Sequence, residues 1–156
     1  MDVKIRHFKR FVGDSRDLAE MIREDVEEIL KDSFYYYISD MLESEGVDLD
    51  EAFKNREVIL LLEETWDSLR HDLISQILNM FAEYVERRYG LEGMADRYLF
   101  CWSSTEGMMC RFERRKAVED FRRIASDWFA EIAEEYLRDL IPDILYSIAE
   151  SERVEI

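Results

Sequence analysis

Apolar residues recur at a helical spacing on two sides of the stretch between positions 50 and 89, which contains neither Gly nor Pro. The first stripe follows intervals of three and four residues: Ile59, Leu62, Trp66, Leu69, Leu73, Ile77, Met80 and Tyr84. The second stripe lies on the opposite side of the same helix: Phe53, Leu60, Ile74, Leu78 and Val85. A helix that is apolar on two sides must be covered on two sides, so the pattern predicts a central helix with the others packed around it.

Capping signals give the predicted limits of this helix and of the one before it. Asp48 and Glu51 form an acidic version of a capping box that would open the central helix, and Gly90 would close it. Upstream, Asp14 is the predicted N-cap of a first long helix that Gly46 would end. The connection between the two helices is short, so they are expected to run antiparallel.

A third helical pattern covers 114–149 and contains Pro142, which predicts a kink or break near Leu140. The apolar residues that define this pattern are Val118, Phe121, Ala125, Trp128, Ile132, Tyr136, Leu140, Ile144 and Ile148. The first helix has a comparable stripe: Leu18, Ile22, Val26, Ile29, Leu30, Phe34, Tyr37, Ile38, Met41 and Leu42.

Two segments alternate apolar and polar residues instead. In the basic N-terminal arm, 1–13, the alternation from Val3 to His7 predicts a short strand. Residues 98–112 fit either a hairpin or a helix capped by Ser103. In the hairpin register Cys101 lies opposite Cys110, where the two could form a disulfide or remain two buried thiols.

The expected fold is therefore mainly α, with three long antiparallel helices, the last kinked at Pro142, and a small β appendage from the N-terminus and the 98–112 hairpin. Length and the lack of a linker predict a single helical domain over 1–156. Charged residues make up 37% of the chain and amides are scarce, a composition similar to that of proteins from hot environments. No apolar run exceeds five residues, so we expect no membrane span and a cytoplasmic protein, where cysteines are ordinarily reduced.

The run Phe34, Tyr35, Tyr36 and Tyr37 directs aromatic rings around the whole first helix, so some of them cannot face one core. A half-exposed Tyr is one interpretation and a partner interface is the other. Long helices with apolar flanks also favour a homodimer, with this run or the last helix at the contact.

The net charge is −16, yet cations cluster in two segments. These residues form the predicted basic patch: Lys4, Arg6, Lys9, Arg10, Arg111, Arg114, Arg115 and Lys116. Such an asymmetry fits acidic faces that keep the protein in solution, self-association of basic against acidic regions, or a partner with a basic surface. Direct nucleic-acid binding is disfavoured because the overall negative charge repels a polyanion.

One carboxylate and histidine cluster is a candidate metal site. Glu64, Asp67 and His71 share a side of the central helix at spacings of three and four residues. Bundles hold divalent metals with such groups, although the Glu-x-x-His pairs of di-iron sites are absent. The alternative is an exposed polar gap in the stripe.

We therefore expect a non-enzymatic interaction or regulatory protein that acts through acidic helical surfaces and needs no cofactor. An antagonist of a nucleic-acid-handling partner is one concrete form. The alternatives are a Mg- or Mn-dependent all-α hydrolase centred on Glu64, Asp67 and His71, and a protein that binds phosphate or nucleic acid through its basic pole.

Overall fold

The computed structural model describes residues 3–154, excluding the side chains of residues 153 and 154. Helices account for 81% of the structure and a two-stranded antiparallel hairpin completes it, which confirms a mainly α fold with a small β element. The elements are α1 (Val3–Phe11), α2 (Ser15–Met21), α3 (Arg23–Ser44), α4 (Leu49–Ala52), α5 (Arg56–Tyr98), β1 (Leu99–Ser104), β2 (Gly107–Phe112), α6 (Arg114–Tyr136) and α7 (Leu140–Val154). Within the described residues there are seven helices, so the predicted count of three is wrong.

The N-terminal strand is also wrong, because the described part of the basic arm folds as α1. Ile5, Phe8 and Val12 stand at i, i+3 and i+7, and this helical spacing places the fully buried Phe8 in the core. His7 Nδ1 lies 2.9 Å from the Val3 carbonyl oxygen one turn earlier. The alternation across Val3–His7 was too short to distinguish a strand from a helix. Positions 1 and 2 of the predicted arm lie outside the described residues.

The predicted first helix is divided at Ile22. Asp14 caps α2 as predicted, since its side chain accepts the Asp17 N–H and the Asp17 side chain accepts the Asp14 N–H. Ile22 leaves helical geometry (φ −108°, ψ 15°), yet its side chain stays fully buried. Gly46 ends α3 as predicted: with φ at 79°, it lets the Val47 N–H reach the Leu42 carbonyl at 3.0 Å.

The central helix begins later than predicted. Asp48 caps the short α4, while Asn55 accepts the Glu57 N–H at 3.0 Å and thereby caps α5. Gly90 interrupts α5 with a non-helical backbone (φ 65°, ψ −178°). The last helix is broken at 137–139, close to the predicted position, and Pro142 lies in the first turn of α7, where its missing N–H does no harm.

The chain divides into two compact units. Unit 1 consists of Met1–Glu28 and Ile74–Ala125, and unit 2 consists of Ile29–Leu73 and Ser126–Ile156. Each unit is assembled from two separate stretches of sequence, and the single domain over 1–156 stays a prediction. The prediction that both sides of the central helix are buried holds from Ile74 onward, where Leu78 and Val85 of the second stripe are covered. It is wrong at Leu60, which is 46% exposed.

Each unit has its own aromatic packing. In unit 1 the rings of Phe81 and Phe121 meet edge to face at 5.5 Å. In unit 2 the ring of Phe34 lies 5.5 Å from that of Trp66, and Tyr37 lies 6.2 Å from Phe129. Burial and packing of these rings contribute to the stability of each core.

Neighbouring positions on α3 provide a test of the unit 2 core. Phe34 is fully buried, whereas Tyr36 is 75% exposed. Phe34→Ala should lower the free energy of unfolding by about 3–5 kcal/mol, because it removes the ring packed on Trp66 and leaves a cavity. Tyr36→Ala should stay within about 0.5 kcal/mol of the parent. Urea denaturation measures both, and equal effects of the two substitutions would contradict this core.

Candidate interaction surfaces

The hairpin has two chemically different faces. Its register places Phe100 opposite Arg111, Trp102 opposite Met109 and Cys101 opposite Cys110, so the hairpin prediction is correct and the helix alternative is wrong. On one face Leu99 is buried and Phe112 half-buried at the base of the hairpin. We call the opposite face, formed by Phe100, Trp102, Met109 and Arg111, the outward face.

The outward face combines exposed aromatic rings with a cation. Phe100 is 49% exposed, Trp102 41% and Met109 42%, and the two rings lie 5.9 Å apart. The Arg111 guanidinium stands 5.0 Å from the centre of the Phe100 ring, within the range of a cation–π interaction. Its Nε also lies 3.5 Å from a Glu113 carboxylate oxygen. Large apolar side chains grouped on the surface in this way are typical of interaction sites.

A disulfide joins the two strands of the hairpin. Cys101 and Cys110 are directly opposite in the register and are bonded to each other. An isolated two-stranded sheet is marginally stable in water, because it buries little apolar surface. The covalent link restricts the unfolded hairpin and thereby holds the two strands in register.

A buried ionic cluster fixes the base of the hairpin to α6. Asp120, only 4% exposed, accepts hydrogen bonds from Arg97 Nε at 2.6 Å and from Arg97 Nη2 at 2.7 Å. It also accepts one from the Tyr98 hydroxyl at 2.7 Å. Because Tyr98 immediately precedes β1, these bonds determine where the hairpin leaves the helices. The Glu113 N–H, just after β2, donates to the Tyr98 carbonyl at 2.7 Å, and this bond joins the end of β2 to the start of β1.

The cluster shifts the pKa values of its members in consistent directions. Burial opposes ionisation of Asp120, but the hydrogen bonds from Arg97 and Tyr98 outweigh it and hold the pKa of Asp120 below its ordinary value. Burial and the hydrogen bond to Asp120 raise the pKa of Tyr98. The hydrogen bond to Asp120 likewise raises the pKa of Arg97. At neutral pH the cluster is therefore a carboxylate held by a guanidinium and a neutral phenol.

Sequence reasoning missed this cluster, although one signal was present. Asp120 stands three residues after Ala117 and next to Phe121, both fully buried on α6. A carboxylate at a helical core position needs a buried partner. Its partner Arg97 lies just before 98–112, the segment that fitted either a hairpin or a helix.

All eight residues of the predicted basic patch belong to unit 1. The first four lie on α1, which packs against β1, and the other four lie on β2 and the first turn of α6. Some are individually balanced by acids: Arg114 Nε lies 2.7 Å from Asp25, Arg115 3.8 Å from Glu119, and Lys4 3.9 Å from Asp96. The acids within unit 1 therefore moderate the basic patch.

Charge is divided very unequally between the two units. The ranges of unit 1 contain 15 Lys and Arg against 16 Asp and Glu, a net charge of −1. Unit 2 contains 6 Lys and Arg against 21 Asp and Glu, a net charge of −15. Even one-to-one pairing within unit 2 would leave fifteen carboxylates without a cation. Among its described residues every Asp and Glu is exposed except Glu150, which is half-buried.

The candidate metal residues belong to this acidic surface. Glu64, Asp67 and His71 are all exposed on α5. Across residues 3–154, no three His, Cys, Asp or Glu side chains converge in a geometry that could hold a metal ion. Burial raises the pKa of the Tyr35 phenol, and the nearby carboxylates of Glu63 and Asp67 raise it further.

Next to Glu64 the surface of unit 2 forms a depression of about 440 Å³. We call it the acidic depression: Leu61, Leu69 and Tyr136 contribute apolar surface, and Glu64 and Asp72 contribute carboxylates. Leu61 and Leu69 are half-buried and Tyr136 is 45% exposed. Of the two apolar stripes of the central helix, only the first contributes a residue to this depression, Leu69.

The aromatic run at 34–37 does not form one exposed surface. Phe34 is a core residue, and Tyr35 and Tyr37 are half-buried on α3. Only Tyr36 of the four is largely exposed. A partner contact through all four rings is therefore incompatible with this core.

Comparison with known proteins gives no match to a protein-family model, to a curated protein or to a solved structure. None of the helices in residues 3–154 combines the length and the apolar character that a membrane crossing requires.

The buried cluster predicts a pH-dependent effect of Asp120→Asn. At pH 7 the substitution should lower the free energy of unfolding by about 2 kcal/mol, because it removes a charged hydrogen-bond acceptor. The folded-state pKa of Asp120 is depressed, so its contribution is present above about pH 4 and is lost as pH falls through the folded value. Urea denaturation at pH 7 and at pH 3 should show the deficit shrinking. Asp127→Asn, at an exposed position of α6, is the control, and a deficit that grows toward low pH would refute the assignment.

Removal of the disulfide should loosen the hairpin and leave the helices intact. In the Cys101→Ser, Cys110→Ser variant the amides of β1 and β2 should exchange hydrogen at least about tenfold faster, because the unfolded hairpin regains its freedom. Amides of α6 between Phe121 and Phe129 serve as the internal control. Unchanged protection of the strands would show that packing alone holds them.

Proposed function

We propose that this chain is a non-enzymatic interaction protein whose acidic unit 2 binds a basic surface on a protein partner. The observation that carries the proposal is the concentration of fifteen net negative charges in unit 2, while unit 1 is almost neutral. If the helices needed only charged surfaces, equal numbers of acidic and basic residues would be enough, as in unit 1. Uncompensated charge costs stability through self-repulsion, and a basic partner would relieve that repulsion.

The acidic depression supports a partner that is amphipathic as well as basic. Leu61, Leu69 and Tyr136 offer apolar contact, while Glu64 and Asp72 offer charge. Complementary charge accelerates association and selects partners, and the apolar contact supplies affinity. A segment with apolar side chains flanked by Arg or Lys fits both requirements. An antagonist that occupies the basic groove of a nucleic-acid-handling protein would be one form of this activity.

A pair of synthetic peptides tests the proposal. One peptide is an amphipathic helix of Leu and Arg, and the other has the same composition in scrambled order. The amphipathic peptide should bind more tightly, and Glu64→Lys with Asp72→Lys should weaken it by at least about tenfold. The control variant, Glu83→Lys with Glu92→Lys, makes the same charge change at exposed positions of unit 1 and should weaken binding of the amphipathic peptide far less.

Calorimetric titration at moderate salt measures these affinities. Equal binding of the two peptides, or equal weakening by the two double variants, would mean that only non-specific attraction of a polycation is present. Either result would contradict a defined acidic binding surface.

A further inference from the structure

The outward face of the hairpin is not used by the function proposed above. It contains Phe, Trp, Met and Arg, which are the residue types enriched in the centres of protein interfaces. The rings of Trp102 and Phe100 remain 41% and 49% exposed, although they lie beside each other on a strand that a disulfide links to its neighbour. Such preorganised aromatic and Arg side chains lose little conformational freedom on binding and act as anchor residues.

The charge on this face selects the kind of surface that can cover it. Arg111 is the charged residue of the face, and of the cations that follow it, Arg114 and Arg115 lie within ion-pair distance of Asp25 and Glu119. A partner must therefore provide apolar contact and negative charge together. Nucleic acids and anionic membranes are also negative, and so is a second copy of this chain, whose net charge is −16, so long-range repulsion does not distinguish among them. At short range, an acidic protein surface with an apolar floor meets both requirements of this face.

The same chain carries a surface of this description. The acidic depression of unit 2 offers Leu61, Leu69 and Tyr136 for contact with rings, and Glu64 and Asp72 for contact with a cation. Its volume of about 440 Å³ lies within the range of protein ligand pockets, so it has room for aromatic side chains. Both surfaces are exposed, and they have opposite charge.

We propose that the outward face of the hairpin binds the acidic depression on unit 2 of a second copy of the chain. Trp102 and Phe100 contact Leu61, Leu69 and Tyr136 there. Arg111 exchanges its ion pair with Glu113, now at 3.5 Å, for the carboxylates of Glu64 or Asp72. The contact is heterologous, since different surfaces of the two copies meet. The inference uses the acidic surface of the proposed function but assigns it a different occupant, so self-association and binding of a basic partner would compete.

Sedimentation-velocity ultracentrifugation of the intact, oxidised chain tests the contact. The parent chain should self-associate, and Trp102→Ala or the Glu64→Lys, Asp72→Lys double variant should weaken that association by at least about tenfold. Tyr146→Ala, at a residue 67% exposed on α7, is the matched aromatic control and should associate like the parent. Circular dichroism melts verify that each variant is folded.

Mixing the two defective variants distinguishes a heterologous contact from a symmetric one. The hairpin variant retains an intact depression and the depression variant retains an intact hairpin, so a mixture should form heterodimers although each variant alone does not associate. Arg111→Glu should likewise be defective alone and recover when mixed with Glu64→Lys. A parent chain that remains monomeric at high concentration, or variants that show no recovery on mixing, would overturn the proposal.

Two further outcomes separate this inference from other occupants and from the proposed function. The parent chain could instead fail to self-associate and bind single-stranded nucleic acid or anionic vesicles through the hairpin. If Trp102→Ala abolished that binding, the proposed self-contact would also be overturned. The amphipathic peptide of Leu and Arg should still bind the Trp102→Ala variant, since its depression is intact. Peptide binding by a parent chain that does not self-associate would refute the self-contact and leave the proposed function standing.

Discussion

Repulsion among the carboxylates of unit 2 is the constraint on which the rest of this structure depends. Twenty-one acidic side chains share the unit with six cations, and all of those described except the half-buried Glu150 are exposed, where water screens their charge. The core beneath them must supply the opposing stability. Phe34, Trp66, Tyr37 and Phe129 do so with rings that pack edge to face or tilted against each other. Uncompensated charge and an aromatic core therefore occur together in one unit.

Unit 1 balances its charges and solves a different physical problem. A two-stranded hairpin has little buried surface of its own and must be held by its surroundings. Asp120 binds Arg97 and Tyr98 at the point where the chain enters β1, and a disulfide links the strands further out. These supports act at the base and along the inner face. They leave Phe100, Trp102 and Arg111 exposed and fixed in place, as a preformed binding surface requires.

Patterns that repeat many times predicted the fold best. Ten apolar positions defined the stripe of the predicted first helix, from Leu18 to Leu42, and all of them are buried or half-buried. The breaks within helices were harder to foresee, because Ile22 departs from helical geometry while its side chain remains in the stripe. Asn55, rather than Asp48, caps the start of α5, because its side-chain oxygen accepts the Glu57 and Val58 N–H groups. The strand predicted near Val3 rested on only a few residues, and burial of Phe8 decided in favour of a helix.

The candidate surfaces were foreseen only in part. Sequence reasoning placed Cys101 opposite Cys110 because strand register follows from alternation, and the structure has this register. It could not identify Arg97 as the partner of Asp120, since that pairing joins residues on two helices separated by the hairpin. Nor could it tell that Leu60 would remain exposed, because a stripe shows which residues are apolar and does not show where a neighbouring helix ends.

The most direct test of uncompensated charge in unit 2 is the dependence of stability on NaCl concentration. Screening weakens repulsion between like charges and attraction between opposite charges, so the sign of the effect reveals which one dominates. The melting temperature, measured for the Trp102→Ala variant to limit self-association, should rise between low and moderate NaCl. A melting temperature that falls over this range would mean that attractive ion pairs outweigh the repulsion, and it would contradict carboxylate repulsion as the dominant constraint on the fold.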